Sequence, residues 1–287
     1  MLLLLIKCAW LKYASLCTMM LPFVDSKLGE PSVSATHVIS GVFGGVTSLG
    51  NDVFVLRRKS IIEVTMIEVY DAVTFTLQRS LAVPQFRFES SGLAVCPRNK
   101  CLYASNYCND SIHRVELTGS NAVMKWSVAS KPAGLAVNKS HNVLVVSNGA
   151  GKLQEFTTCG TLLQNIQLQL EDPWHAIDLA SEQFVVSYRK WHSVCLVNIK
   201  GKITRSNDGH KHAKLSKMNF PTGLAMDKRG NILVADEMNN RLLVFDRSLT
   251  SVHAMPVSVD GGLRDPRSLW YDKSRGRLCI AERQGIE

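Results

Sequence analysis

Short apolar runs separated by polar breaks fill the chain, and residues 220–247 show the pattern most plainly. Gly223-Leu224-Ala225-Met226 is followed by the polar break Asp227-Lys228-Arg229-Gly230-Asn231, then by Ile232-Leu233-Val234-Ala235. A second break, Asp236-Glu237-Met238-Asn239-Asn240, precedes Arg241-Leu242-Leu243-Val244-Phe245. Runs of four or five aliphatic, β-branched and aromatic residues have strand length, and the Gly- and Asx-rich breaks have the chemistry of tight hairpins. The pattern predicts a three-stranded antiparallel meander. Such a sheet has two apolar faces and needs similar neighbours on both sides.

The neighbours are present in the sequence. Pro132-Ala133-Gly134-Leu135-Ala136-Val137 repeats Pro221-Thr222-Gly223-Leu224-Ala225-Met226, and looser copies occur at Gly92-Leu93-Ala94-Val95, Pro173-Trp174-His175-Ala176-Ile177 and Pro266-Arg267-Ser268-Leu269-Trp270. Gly92 and Gly134 are 42 residues apart, and the prolines follow at intervals of 41, 48 and 45. A period of roughly 40 to 45 residues with four strands per unit is the spacing of a β-propeller. The expectation is an all-β, six-bladed propeller over residues 34–287, with blades starting near residues 46, 92, 134, 174, 223 and 268. The first unit is the least regular. Val53–Leu56 and Ile61–Val64 read as strands, Thr65–Asp71 half repeats the second of them, and residues 75–83 form the outer strand.

Gly-Leu-Ala-Met-Asp, Gly-Asn-Ile-Leu-Val-Ala-Asp and Asn-Asn-Arg-Leu-Leu-Val-Phe-Asp, read from Gly223 to Asp246, resemble the NHL repeat, the blade unit found in the propellers of tripartite-motif proteins. In the other copies Ser105, Ser147, Ser187 and Glu282 stand where this one has Asp236. More distantly the pattern is similar to regucalcin/gluconolactonase-like and peptidylglycine-lyase propellers. The resemblance implies architecture far more than activity, because scaffolds, RNA binders and enzymes share this fold.

Residues 1–33 read as a leader and linker. Leu2 to Ile6 is uninterrupted and apolar, but Lys7 and Lys12 break the run and no basic segment precedes it, which is unlike a secretory signal. The stretch is too short and broken to span a bilayer as a helix. Thr36-His37-Val38-Ile39-Ser40 reads as a lone strand that supplies the outermost strand of the last blade and so closes the ring. The last unit has only two strands before residue 287, so its third strand is expected to be absent and the chain to be a fragment. The formal charge of +9 and the pI near 9.2 fit a basic surface or an acidic partner. A monomer in the cytoplasm is expected, with secretion as the alternative if residues 1–24 act as a signal.

None of the eight cysteines has C-x-x-C spacing, which disfavours a RING-type zinc site and favours a reducing compartment. Cys96 and Cys101 flank a turn and face each other across the hairpin, and they read as buried free thiols. The eight histidines are dispersed, apart from His210 and His212. If the distant lactonase-like resemblance extended to chemistry, calcium would sit among oxygen ligands in the turns after the second strands, where Asn106, Asn148, Asp236 and Glu282 are the candidates. Arg57 and Arg189 share that ring and repel a cation, so a metal-dependent hydrolase is a secondary reading with no cofactor as the primary one. The same turns gather Arg57, Arg58, Lys59, Arg189, Lys190, His192 and Arg283, with Tyr107, Tyr188 and Trp191 among them. Cations interleaved with aromatics suit single-stranded RNA, since the cations neutralise phosphate and the rings stack on bases. Protein binding through that face is the leading expectation, with RNA as its alternative and no catalytic residue assigned.

Overall fold

The computed structural model describes residues 16–23, 32–40, 42–58, 66–83, 92–119, 121–180, 182–209, 215, 217–258 and 262–282. Among them the strands form six small sheets. The first contains Val42–Leu49, Asp52–Arg58, Met66–Asp71 and Leu77–Ala82. The second contains Leu93–Cys96, Cys101–Asn106, Ser111–Glu116 and Val123–Ser127, and the third Pro132–Val137, Val143–Ser147, Lys152–Phe156 and Leu162–Gln167. The fourth is Pro173–Ala180, Gln183–Tyr188, Ser193–Asn198 and Ile203–Asn207. The fifth is Pro221–Met226, Ile232–Asp236, Arg241–Phe245 and Val252–Ala254. In each of these five, every strand pairs with the next in sequence, as hairpin chemistry dictates.

The sixth sheet departs from that rule. Pro266–Asp272 and Arg277–Glu282 pair with each other, and the third strand is Leu16–Phe23, with Cys17 opposite Ala281 and Met20 opposite Leu278. Ser32–Ser40 follows as the fourth strand, and Val33 and Ser34 pair in parallel with Val257 and Ser258. This corrects the expectation that the third strand is absent and that residues 1–33 are leader and linker throughout. The reason is the open edge of Arg277–Glu282, a row of unpaired N–H and C=O groups that takes up any strand-forming segment within reach. In the first sheet, the third strand is Met66–Asp71. Residues 61–64, read as a strand in the sequence, lie outside the described residues.

An apolar cluster fills each gap between successive sheets. Phe54, Leu56 and Val69 of the first pack on Leu93, Val95 and Leu102 of the second. Tyr103 and Ile112 then meet Leu135 and Val145, Leu144 and Leu153 meet Phe184 and Val186, and Val185 and Val194 meet Leu224 and Val234. Leu233 and Val244 meet Leu269 and Leu278, and Ala281 and Cys279 of the sixth sheet return to Val46 and Val53 of the first. The sequence of contacts closes on itself, so the sheets stand radially about one axis as a propeller. Both faces of each interior strand are buried, which explains why the second strands are apolar without alternation.

The innermost strands approach one another very closely. A Cβ at Gly134 would lie 2.5 Å from the Trp174 carbonyl oxygen and 2.5 Å from the His175 ring. At Gly92 and Gly223 it would meet the corresponding backbone of the next sheet at 2.8 and 2.7 Å. The glycine of the repeat is therefore required by sheet-to-sheet packing, since only a residue without Cβ admits backbone at that distance. In the fourth sheet this position is His175, whose ring reaches both neighbours. Its Nδ1 accepts the Leu224 N–H at 2.9 Å, so Nε2 carries the proton and donates to the Leu135 carbonyl at 2.9 Å.

Candidate functional site

In the second to fifth sheets the turns from second to third strand emerge on one face of the ring, beside the entries to the innermost strands. On this face the backbone pairing sets the correspondence between sheets. Pro132 is opposite Ser147, Pro173 opposite Tyr188, Pro221 opposite Asp236 and Pro266 opposite Glu282. The position of Asp236 is thus held by Tyr188 in the fourth sheet, not by Ser187 as the sequence suggested. In the second sheet Asn106 ends the strand and Ser105 lies one residue inside it. Asn148 and Arg189 fall one residue beyond the strand, in the turn itself.

Three of the proposed oxygen ligands are held by hydrogen bonds in their own surroundings. Asp236 is fully buried and accepts from the Asn219 N–H at 2.6 Å, Asn239 Nδ2 at 2.9 Å and Arg241 Nε at 2.7 Å. Asn148 Nδ2 donates to Asp172 Oδ1 and to the Pro173 carbonyl. Glu282 Oε1 accepts the Arg264 N–H. Asn106 is buried at the end of its strand. Among the described residues no group of three or more His, Cys, Asp and Glu side chains is placed to hold a metal ion.

The basic and aromatic candidates divide into three groups. Tyr188 leaves the face altogether: it is fully buried in the cluster between the third and fourth sheets, and burial pushes its hydroxyl well above the ordinary range. This corrects its assignment as a surface residue, and follows from its strand-end position, where the side chain points into the gap between sheets. Arg57 Nη1 donates to both carboxylate oxygens of buried Glu68, at 3.1 and 3.0 Å, and Tyr70 donates to the same carboxylate at 2.6 Å. Its charge is largely answered within the first sheet. Arg58 has a described backbone only, and Lys59 and Arg283 lie outside the described residues.

The third group gathers where the fourth, fifth and sixth sheets meet. Arg189 stacks over Trp174 at 4.2 Å and Phe220 at 5.1 Å, and Arg267 stacks over Trp174 at 5.0 Å. Stacking of this kind contributes about 0.5–2 kcal/mol each, depending on desolvation. His192 Nδ1 accepts the Phe220 N–H at 3.1 Å, with its ring edge-on to Phe220. Lys190 is exposed, Trp191 is 52% exposed, and Met238 of the adjacent turn is 49% exposed. The Met238 N–H bonds to the Asn219 carbonyl, which ties its turn to the segment carrying Phe220. Tyr107, in the second sheet's turn, is half-buried with Lys131 5.9 Å from its ring. Met238 was not anticipated from the sequence; an apolar side chain inside the polar run Asp236–Asn240 was its signal.

A cavity of about 590 Å³ runs along the axis, within the size range of small-molecule sites. Its wall includes Trp174, His175, Arg267, Trp270 and Asp272. Several of the polar groups are occupied by the wall itself. His175 joins Leu135 to Leu224, Trp270 Nε1 donates to Ser48 Oγ at 2.9 Å, and Asp272 Oδ1 accepts from Ser274.

The NHL repeat is recognised over residues 218–245. With the ring of sheets, this defines the chain as a β-propeller carrying an NHL repeat. Solved structures with the same fold include a chain of the nidogen/laminin complex, 13% identical with a TM-score of 0.65 over 96% of this chain and 99% of that one. A Bacteroides thetaiotaomicron protein of unknown function is 14% identical, with a TM-score of 0.66 over 94% of this chain and 76% of that one. Virginiamycin B lyase from Staphylococcus aureus, as a catalytically inactive variant with quinupristin, is 10% identical with a TM-score of 0.61, covering 95% and 89%. These likenesses show the fold. No curated protein matches the sequence.

Proposed function

We propose that the protein is a non-catalytic interaction module that binds another protein through the ring face bearing Trp191 and Met238. The reading is carried by the presence of two large, exposed apolar side chains on adjacent turns, surrounded by Arg189, Lys190 and His192. Trp, Met and Arg are the residue types enriched where protein interfaces concentrate their energy. Several acids of the same face are engaged in their own loops. Asp110 accepts the Lys131 N–H, Asp172 accepts from Asn148, and Asp236 and Glu282 accept as described. The partner is accordingly expected to offer an apolar pocket flanked by acidic residues. A propeller of this fold in the nidogen/laminin complex is consistent with that use.

A photo-crosslinking amino acid at position 191, compared with one at exposed Ser140 in a turn on the opposite face, tests the reading. Adducts specific to position 191 that vanish with Met238→Asp are expected. Once the partner is purified, Trp191→Ala should weaken binding at least about tenfold without lowering the melting temperature. Labelled oligouridylate that binds with a steep salt dependence, survives Trp191→Ala and is lost with Lys190→Glu would replace this reading with RNA binding. Turnover of quinupristin would replace it with a lyase, and a calcium-dependent rise in melting temperature with the metal-dependent class.

A further inference from the structure

The hairpin of the second sheet places Cys96 directly opposite Cys101, with residues 97–100 forming the turn between them. Opposed residues of an antiparallel pair project from the same side of the sheet. Both cysteines are fully buried, both are free, and both belong to the apolar cluster between the second and third sheets. The Cα atoms of such a pair lie about 4.5–5.5 Å apart, inside the ~4.4–6.8 Å span that a disulfide accepts. The bridge therefore requires rotation of side chains and little movement of backbone.

The two thiols have different surroundings. Cys96 Sγ lies 3.9 Å from Nδ1 of His141, which belongs to the corresponding turn of the third sheet, and 3.4 Å from Asn99 Nδ2. Cys101 Sγ donates to the Tyr103 hydroxyl at 3.2 Å, and burial raises its pKa above the ordinary value. Cys96, next to an imidazole able to take its proton, is the one equipped to attack first. The turn that joins them is exposed at Pro97, Arg98 and Lys100, so opening of the hairpin end admits a small reagent.

We propose that Cys96 and Cys101 form a dithiol site that a small-molecule disulfide, such as glutathione disulfide, converts reversibly to a cross-strand disulfide. The Cys96 proton passes to His141 and the thiolate attacks one sulfur of the reagent. The reagent's S–S bond breaks and one glutathione leaves as its thiolate. Cys101 then gives its proton to that glutathione thiolate and attacks the Cys96 sulfur of the mixed disulfide, forming the protein bridge and releasing the second glutathione, which takes its proton from His141. Two protein thiols are oxidised and one glutathione disulfide is reduced to two glutathiones. Pro97 lines the axial cavity, so the bridge fixes the turn at its mouth, on the opposite face of the ring from Trp191 and Met238.

The test uses the folded full chain with Cys108→Ser, which removes an exposed thiol that would share a tryptic peptide with Cys101. After incubation with glutathione disulfide the protein is unfolded, alkylated and digested with trypsin, which cuts after Arg98 and Lys100. The two cysteines then leave on separate peptides unless they are bridged. A bridged pair about 2 Da lighter than its reduced components, abolished by dithiothreitol, is expected. In Cys101→Ser, Cys96 should stop at the glutathione mixed disulfide. Full alkylation of Cys96 and Cys101 under conditions that glutathionylate exposed Cys159 would overturn the proposal, as would a bridge that forms only in urea.

Discussion

Asp236 illustrates how a single side chain organises the interaction face. One carboxylate receives three donors, one from the segment before the first strand and two from its own turn. Asp236→Ala leaves the Arg241 guanidinium and the Asn219 N–H without that acceptor beside a buried site, and should cost about 2–4 kcal/mol in urea unfolding. A loss under about 0.5 kcal/mol would show that water replaces the carboxylate. Histidines make a second prediction at this scale. Burial, reinforced by Lys125, lowers His113 from 6.5 to about 4, and burial likewise lowers His175. Both are neutral in the folded chain, so their contribution is complete above pH 6.5 and is lost as pH falls and the unfolded chain takes up protons. The unfolding free energy from urea titrations should fall between pH 6.5 and about 4 through His113, with a limiting slope of about 1.4 kcal/mol per pH unit, and His175 adds in the same direction. His113→Gln should flatten the decline, and an unchanged slope would assign it to other groups. The sequence identified Asp236, Arg189 and Trp191 as turn residues, yet placed Ser105 and Ser187 one residue out of register. Their strands are buried on both faces, so no alternation marks which residue is opposite which.

At the scale of the element, the repeat glycine decides how closely two sheets pack. Gly134→Ala places a methyl against the Trp174 carbonyl and the His175 ring, and backbone cannot move aside as a flexible side chain can. The substitution should lower the melting temperature by about 4 °C or more, since a 2 kcal/mol loss shifts a chain of this size by several degrees. If Gly134→Ala melts with the unsubstituted chain, close packing is not the reason for Gly134. Most units were legible because each is specified locally, by Gly and Asx turns between apolar runs. The outer strands were less so, because they are largely exposed and carry a mixed pattern.

The whole ring depends on a pairing between residues distant in sequence. Leu16–Phe23 covers the edge of Arg277–Glu282, and Ser32–Ser40 lies outside it. Removing residues 1–40 should expose that edge and produce aggregation or a broadened thermal transition, followed by light scattering and circular dichroism. An unaltered, monomeric transition would mean that closure does not depend on those strands. The sequence by itself determined the strands, their turns, the repeat period and hence the radial architecture, because these follow from periodicity and turn chemistry within some 45 residues. Only the tertiary structure decided which segment fills the last sheet, which candidate side chains turn inward as Tyr188 does, and which remain at the surface as Trp191 and Met238 do. Those outcomes depend on what lies opposite each residue across the gap between sheets, and a linear pattern does not encode that.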